Sequence, residues 1–175
     1  MATTQPIMFW TTAIVVTVAA LIDIRTHRIP NWLVLPFLLA GFVVNAVTHG
    51  ASGVAQSLFG TLIGAVVTGL FRYLGAMGMG DVKLCAAVGA WLGPAQAGNA
   101  LLLMAVSGGV IALLHCLAGG FLRQTLTGVG SLVSGFARKG LVPHETFVLS
   151  NAAARRIAYA PAIAIGTILS FVAKQ

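Results

Sequence analysis

The chain has 175 residues, of which 58% are hydrophobic and only 7% charged, with a mean hydropathy of +0.98. A soluble domain carries about 25% charged residues, so the composition excludes a soluble globular protein and indicates a polytopic membrane protein. Ten Lys and Arg against three acids give a formal charge of +7, but the basic residues are scattered between apolar runs. They read as topology signals and lipid-headgroup contacts, and they argue against a nucleic-acid partner.

A membrane-spanning helix needs roughly 17 to 25 apolar residues, and six stretches come near that length. The first runs from Ile7 to Ile22. It has no Lys or Arg before it, and although Thr17-Val18-Ala19 imitates a cleavage site, the apolar run continues past it, so it is no typical signal peptide. Asp23 closes this span. In "RTHRIPN" Pro30 stops the helix and Asn31 is placed to cap the next one, with Trp32 at interface depth. The second span covers Trp32 to Val47 and the third Val54 to Phe71, joined by the uncharged loop "THGASG". Gly60, Gly64 and Gly69 give the third a small-residue face for close packing. The glycine-rich "LGAMGMGDVKL" then leads through Asp81 into a fourth span, Val82 to Ala97, which has Gly93-Pro94 near its end. After "GPAQAGN" the fifth runs from Ala100 to Leu122, and the sixth from Ile157 to Ala173. Between these two, Leu126, Val129, Val133 and Phe136 recur at helical spacing ahead of Arg138 and Lys139, which suggests a short helix on the inner membrane surface. The expected fold is therefore all-α: about six transmembrane helices plus an interfacial helix, as one domain over residues 1–175.

Charge sets the orientation. With six spans and the N-terminus outside, nine of the ten Lys and Arg fall on the inner side and only Lys174 lies outside. This is the positive-inside pattern. It places Asp23, at the end of the first span, and Asp81, at the start of the fourth, at one membrane depth near the inner face. Glu145, the third acid, falls in the inner loop.

Ionisable groups at a membrane edge are costly and often functional. A lone aspartate at a span end is ordinarily a solvated cap, but two at equal depth suit a specific chemistry. Carboxylates that approach closely share a proton. One then activates water as a general base, and the other, protonated, polarises a carbonyl. The helix ends suggest Asp81 as base, near a helix N-terminus, and Asp23 as acid, near a C-terminus. Two carboxylates could also bind a divalent cation, but no His or third acid is placed to complete such a site. Cys85 and Cys116 form no CxxC pair and read as buried thiols. Gly78 and Gly80 would let backbone pass close to a substrate strand. Lys83, two residues after Asp81, points away from it on a helix and reads as a snorkelling anchor. His115 reads as packing between helices; His27, His49 and His144 read as solvated.

The motifs "DIRTHRIPN" (Asp23 to Asn31) and "MGMGDVKL" (Met77 to Leu84) together resemble the type IV prepilin peptidases, and Gly78-Met79-Gly80-Asp81 matches their GxGD signature. "AYAPAIAIGTILSF" is similar to the family's last helix. The resemblance implies a polytopic aspartic protease that cuts the basic leader from prepilins and pseudopilins at the cytoplasmic face of the bacterial inner membrane. It carries catalytic roles onto Asp23 and Asp81 and implies no metal or cofactor. Larger members have an additional cytoplasmic region with two zinc-binding CxxC pairs and N-methylate their product. Only a short stretch stands here in its place, so the chain looks like the short form associated with Tad/Flp pili, with no zinc domain. Pro30, Asn31 and Lys83 are expected to support the site and Gly78 and Gly80 to contact substrate. The expected partners are prepilins, the lipid bilayer and the pilus assembly machinery; the sequence does not set an oligomeric state. Other readings are a small proton-coupled transporter or channel using Asp23, Asp81 and His115, a non-catalytic pilus assembly protein, and a preflagellin or signal-peptide-peptidase-like enzyme.

Overall fold

The computed structural model describes residues 4–74, 77–120 and 159–173. They form four helices and, among the described residues, no strand: α1 (Thr4–Thr26), α2 (Asn31–Tyr73), α3 (Met79–Ala118) and α4 (Ala160–Val172). The interfacial helix expected around 126–136, with Glu145 and His144, lies outside the described residues. Ile7–Thr26, Asn31–Tyr73 and Met79–Ala118 are long and apolar enough to cross a membrane, and α4 is a shorter apolar helix. The described residues are thus all-helical, apart from short connections, and fit an integral membrane protein. Along α1, Ile7, Trp10, Ile14, Leu21 and Ile24 face outward, at the spacing of one helix face and suited to lipid.

At 1.5 Å per residue, the 43 residues of α2 would run about 65 Å if straight, roughly twice the ~30 Å hydrocarbon core of a bilayer. The helix is instead broken at Gly50 (φ 62°, ψ −141°). This left-handed backbone region is open to glycine at little cost. Beyond the break the chain turns back on itself. A Cβ on Gly53 would collide with the carbonyl oxygen of Asn45. The Asn45 side-chain amide and the Ser57 hydroxyl donate to one acceptor, the Ala90 carbonyl, at 2.9 and 2.8 Å. A straight helix would hold those two residues about 18 Å apart. α3 breaks in the same way at Gly93 (φ 72°, ψ 175°), followed by Pro94. Cys85 Sγ and Met104 Sδ, 3.7 Å apart, then face each other across its two limbs. Where the sequence suggested the loops "THGASG" and "GPAQAGN", a single glycine makes each reversal and helix continues on both sides. One residue suffices because glycine alone adopts the required φ freely.

The centre of the molecule is the first limb of α3, gripped by both limbs of α2. Gly60 and Gly89 are in mutual backbone contact, and Gly64 meets the Cys85 carbonyl, so any side chain there would separate the helices. Trp91 stacks on Phe37 at 5.2 Å and donates its indole N–H to the Phe37 carbonyl at 2.8 Å. Of the three glycines expected to form a packing face, Gly60 and Gly64 do so. Gly69 has open space around it, because the buried face of α2 runs on from Gly64 to Thr68 and the next residue points off that face.

α4 is the link between the two ends of the sequence. It packs on α3 and on α1, whereas α1 makes little direct contact with α2 or α3. Gly166 sits against the backbone of Met104, and Ser107 Oγ donates to the Ala162 carbonyl at 3.1 Å. α1 runs antiparallel to α4, with Phe9 edge-on to Phe171 and Asp23 at the opposite end against Ala160.

Candidate active site

Asp81 lies in the first turn of α3 and is 9% exposed. Gly78 precedes this helix in an extended conformation, and its backbone N–H donates to Asp81 Oδ2 at 3.2 Å. This is the return half of a capping box, in which a side chain at the third helical position satisfies the N–H of the cap residue. A Cβ on Gly78 would come within 3.0 Å of the same Oδ2, so glycine leaves the carboxylate unpressed.

Asp23 lies in the last turn of α1 and is 5% exposed. Its backbone and side chain do different things. Its carbonyl accepts from the His27 N–H at 2.8 Å as His27 takes a left-handed φ of 49°, which ends the helix. Its Oδ2 accepts from the backbone N–H of Ala160 at 3.2 Å, across 137 residues. Ala160 is the first residue of α4, so its N–H is one of those a helix leaves without an internal partner. Pro161 follows at the next position, where a missing N–H costs nothing.

Each carboxylate is therefore held by an N–H at the start of a helix. This removes the basis for naming Asp81 the base and Asp23 the acid. Asp23 does sit near the C-terminus of its own helix, but its carboxylate is directed to the N-terminus of another. The two side chains are within electrostatic reach of one another, and Asp81 acts in the same way on Tyr159 and Cys85.

The loop after Asp23 is fastened to the helix that bears Asp81. Ile29 is buried against Gly80, where a Cβ would lie 3.1 Å from Ile29 Cβ. Lys83 Nζ donates to Asn31 Oδ1 at 3.1 Å. Pro30, extended at ψ 140°, is the residue that precedes α2, and its carbonyl accepts from Leu33 and Val34. Asn31 is thus the first helical residue rather than the cap, with its side chain turned to Lys83. Lys83 in turn is directed to Asn31. Gly78 and Gly80 both have close neighbours inside the protein.

Cys85 and Cys116 are buried free thiols. His27 and His49 are exposed, and so is His115, which sits on an outer face of α3 rather than between helices. Among the described residues no three of His, Cys, Asp and Glu come together to hold a metal ion. The start of α4 was missed as part of the site. The one local signal was Pro161 directly after Tyr159-Ala160, which marks a helix start but says nothing of which carboxylate it meets.

Two buried carboxylates, each at a helix end and each accepting a backbone N–H, define a class: an apolar helical protein with two buried acids. Comparison with known proteins narrows this. The model of the type IV leader peptidase family matches residues 10–113, more than half of the chain and inclusive of both aspartates, and the chain belongs to that family. It is 37% identical over 103 residues to a prepilin leader peptidase/N-methyltransferase of Burkholderia pseudomallei (strain 1026b), covering 53% of this chain and 32% of that protein. A Pectobacterium carotovorum subsp. carotovorum protein of the same name is 37% identical over 108 residues, 55% of this chain and 37% of its own. For an Escherichia coli (strain K12) protein so named the values are 36% over 98 residues, 52% and 43%. The matched stretch thus spans about a third to two-fifths of the length of these curated relatives. No solved structure matches the chain.

Proposed function

We propose that the chain is a membrane-embedded aspartic endopeptidase that removes the leader peptide from type IV prepilins and pseudopilins, of the Tad/Flp kind, at the cytoplasmic face of the inner membrane. The observation that supports this reading is the similar setting of Asp23 and Asp81 at one end of the bundle. Both are buried, both accept an N–H from a helix start, and they are within electrostatic reach although 58 positions apart in sequence. The names of the relatives support the substrate class.

The reaction follows from the pair. One carboxylate takes a proton from a water molecule, whose oxygen attacks the scissile carbonyl carbon. The other, protonated, donates to the carbonyl oxygen. The tetrahedral intermediate collapses, the C–N bond breaks and the leaving amine takes a proton from the dyad. Because the two groups titrate as a unit, the roles of acid and base belong to the pair. Broken at Gly50 and Gly93, α2 and α3 supply four apolar limbs. In this reading they make six passes with α1 and α4, and the positive-inside charge pattern assigns the N-terminus to the outside and both aspartates to the inner face. There the apolar helix of a prepilin lies in the bilayer with its cleavage site at headgroup depth. Gly78 and Gly80 present backbone to the extended substrate as a strand adds to an edge. The bilayer and the pilus assembly machinery complete the set of partners.

Co-expression with a candidate prepilin tests this. The wild type converts the prepilin to a faster-migrating product on a gel, and chelator leaves the conversion unchanged. Asp23→Asn and Asp81→Asn each stop it while remaining in the membrane fraction. Full processing by either variant would refute the proposal.

A further inference from the structure

The beginning of α4 does more than hold Asp23. Tyr159 immediately precedes this helix, and its carbonyl accepts from Ala162 and Ile163. Its ring is half-buried against Gly108 on the second limb of α3, where a Cβ would lie 3.4 Å from the ring edge and 3.7 Å from the hydroxyl. Cys85 and Met104 meet across the two limbs of α3. One helical turn further from the break, on the same faces, stand Asp81 on the first limb and Gly108 on the second. The Tyr159 ring is therefore level with Asp81, while the next residue donates its N–H to Asp23. Asp81 and Tyr159 are within electrostatic reach, and no hydrogen bond joins them. Ser107 Oγ, bonded to the Ala162 carbonyl at 3.1 Å, and Gly108 fix this turn of α4 to α3.

From this geometry we infer that Tyr159 is a third catalytic residue, whose phenol O–H donates a hydrogen bond to the oxygen of the scissile peptide carbonyl as it becomes an oxyanion. A phenol ordinarily ionises near pH 10, so it is a donor throughout the neutral range. It transfers no proton. The water proton goes to the carboxylate dyad and the amine leaves with a proton from it, while the Tyr159 hydroxyl stabilises the charge that develops between those two events. Such a donor, fixed in place where water is scarce, acts on the transition state more than on the bound substrate. Gly108 packs beside the ring, where an added methyl would make only ordinary van der Waals contact.

This inference rests on the peptidase reading, and the test separates the two. Wild type, Asp81→Asn, Tyr159→Phe and Tyr159→Leu are purified and assayed with a prepilin in lipid vesicles, with kcat and KM measured separately. Tyr159→Phe keeps the ring on Gly108 and removes only the hydroxyl. The expected result is a kcat lower by about 100-fold, the scale of losing one oxyanion donor, with KM within about twofold, since ground-state binding is unchanged. Tyr159→Phe at wild-type kcat, with only Tyr159→Leu impaired, would show that the ring merely packs and would overturn the inference while leaving the peptidase standing. Absence of cleavage by the wild type, or full cleavage by Asp81→Asn, would overturn the peptidase reading and this inference with it.

Discussion

The two aspartates are held in opposite ways. Asp81 is held by its own chain, through an N–H only three residues away, in a turn that the local sequence dictates. Asp23 is held by an N–H 137 residues away, on a helix that packs on both α1 and α3. One carboxylate is placed by local chemistry and the other by tertiary packing. The difference predicts where the site is sturdy and where it is fragile: substitutions remote from Asp23 can disturb it, whereas Asp81 is sensitive mainly to its immediate neighbours.

The largest expected effect ignores the difference. Asp23→Asn and Asp81→Asn each lower the cleavage rate by about 10⁴-fold or more, because each removes one half of a unit. Next comes the remote support of Asp23. Gly166→Val places a branched side chain into the Met104 backbone. Overpacking of this kind costs about 1–3 kcal/mol, so thermal unfolding in detergent shifts downward and activity falls with it, although residue 166 is far from the carboxylates. The local support of Asp81 gives a smaller effect. Gly78→Ala brings a methyl to 3.0 Å from Asp81 Oδ2. Since Gly78 has an ordinary φ of −75°, alanine fits the backbone, and kcat falls while thermal stability stays near that of the wild type. If Gly166→Val spares activity while Gly78→Ala abolishes it, the contrast between remote and local support is wrong. Smaller still is the bond between the two motifs. Lys83→Met removes a partly exposed hydrogen bond to Asn31, of the kind that contributes about 0.5–1.5 kcal/mol, so activity drops only a fewfold. Gly69→Ala, with open space around it, leaves activity unchanged and raises stability slightly, by up to about 1 kcal/mol of helix propensity.

The same contrast explains what could be read in the sequence. The "DIRTHRIPN" and "GMGD" motifs were legible because they are local: an acid closing an apolar run, a proline before the next helix, and glycines leading into an N-terminal aspartate. Gly60 and Gly64 were legible as a packing face from their spacing. The reversals at Gly50 and Gly93 were legible as places but not as single-residue turns, because composition marks a break without giving its φ. Asn31 was misread as a cap because its side chain answers to Lys83, 52 residues on. The grip of Ala160 on Asp23 was illegible, because a backbone N–H has no sequence signature and its partner is set by how α4 packs. So was the level that Tyr159 shares with Asp81, which arises only once α3 has folded back at Gly93.

The central claim is that Asp23 and Asp81 act as one dyad, and a double-mutant cycle on prepilin cleavage tests it most directly. The rate is measured for the wild type, for Asp23→Asn, for Asp81→Asn and for the double variant, each confirmed as folded in the membrane. The account predicts that the double variant is no slower than either single one, since the first substitution already disables the pair. Losses that multiply, with the double variant slower than each single variant by the other's full factor, would show two groups acting independently and would contradict it.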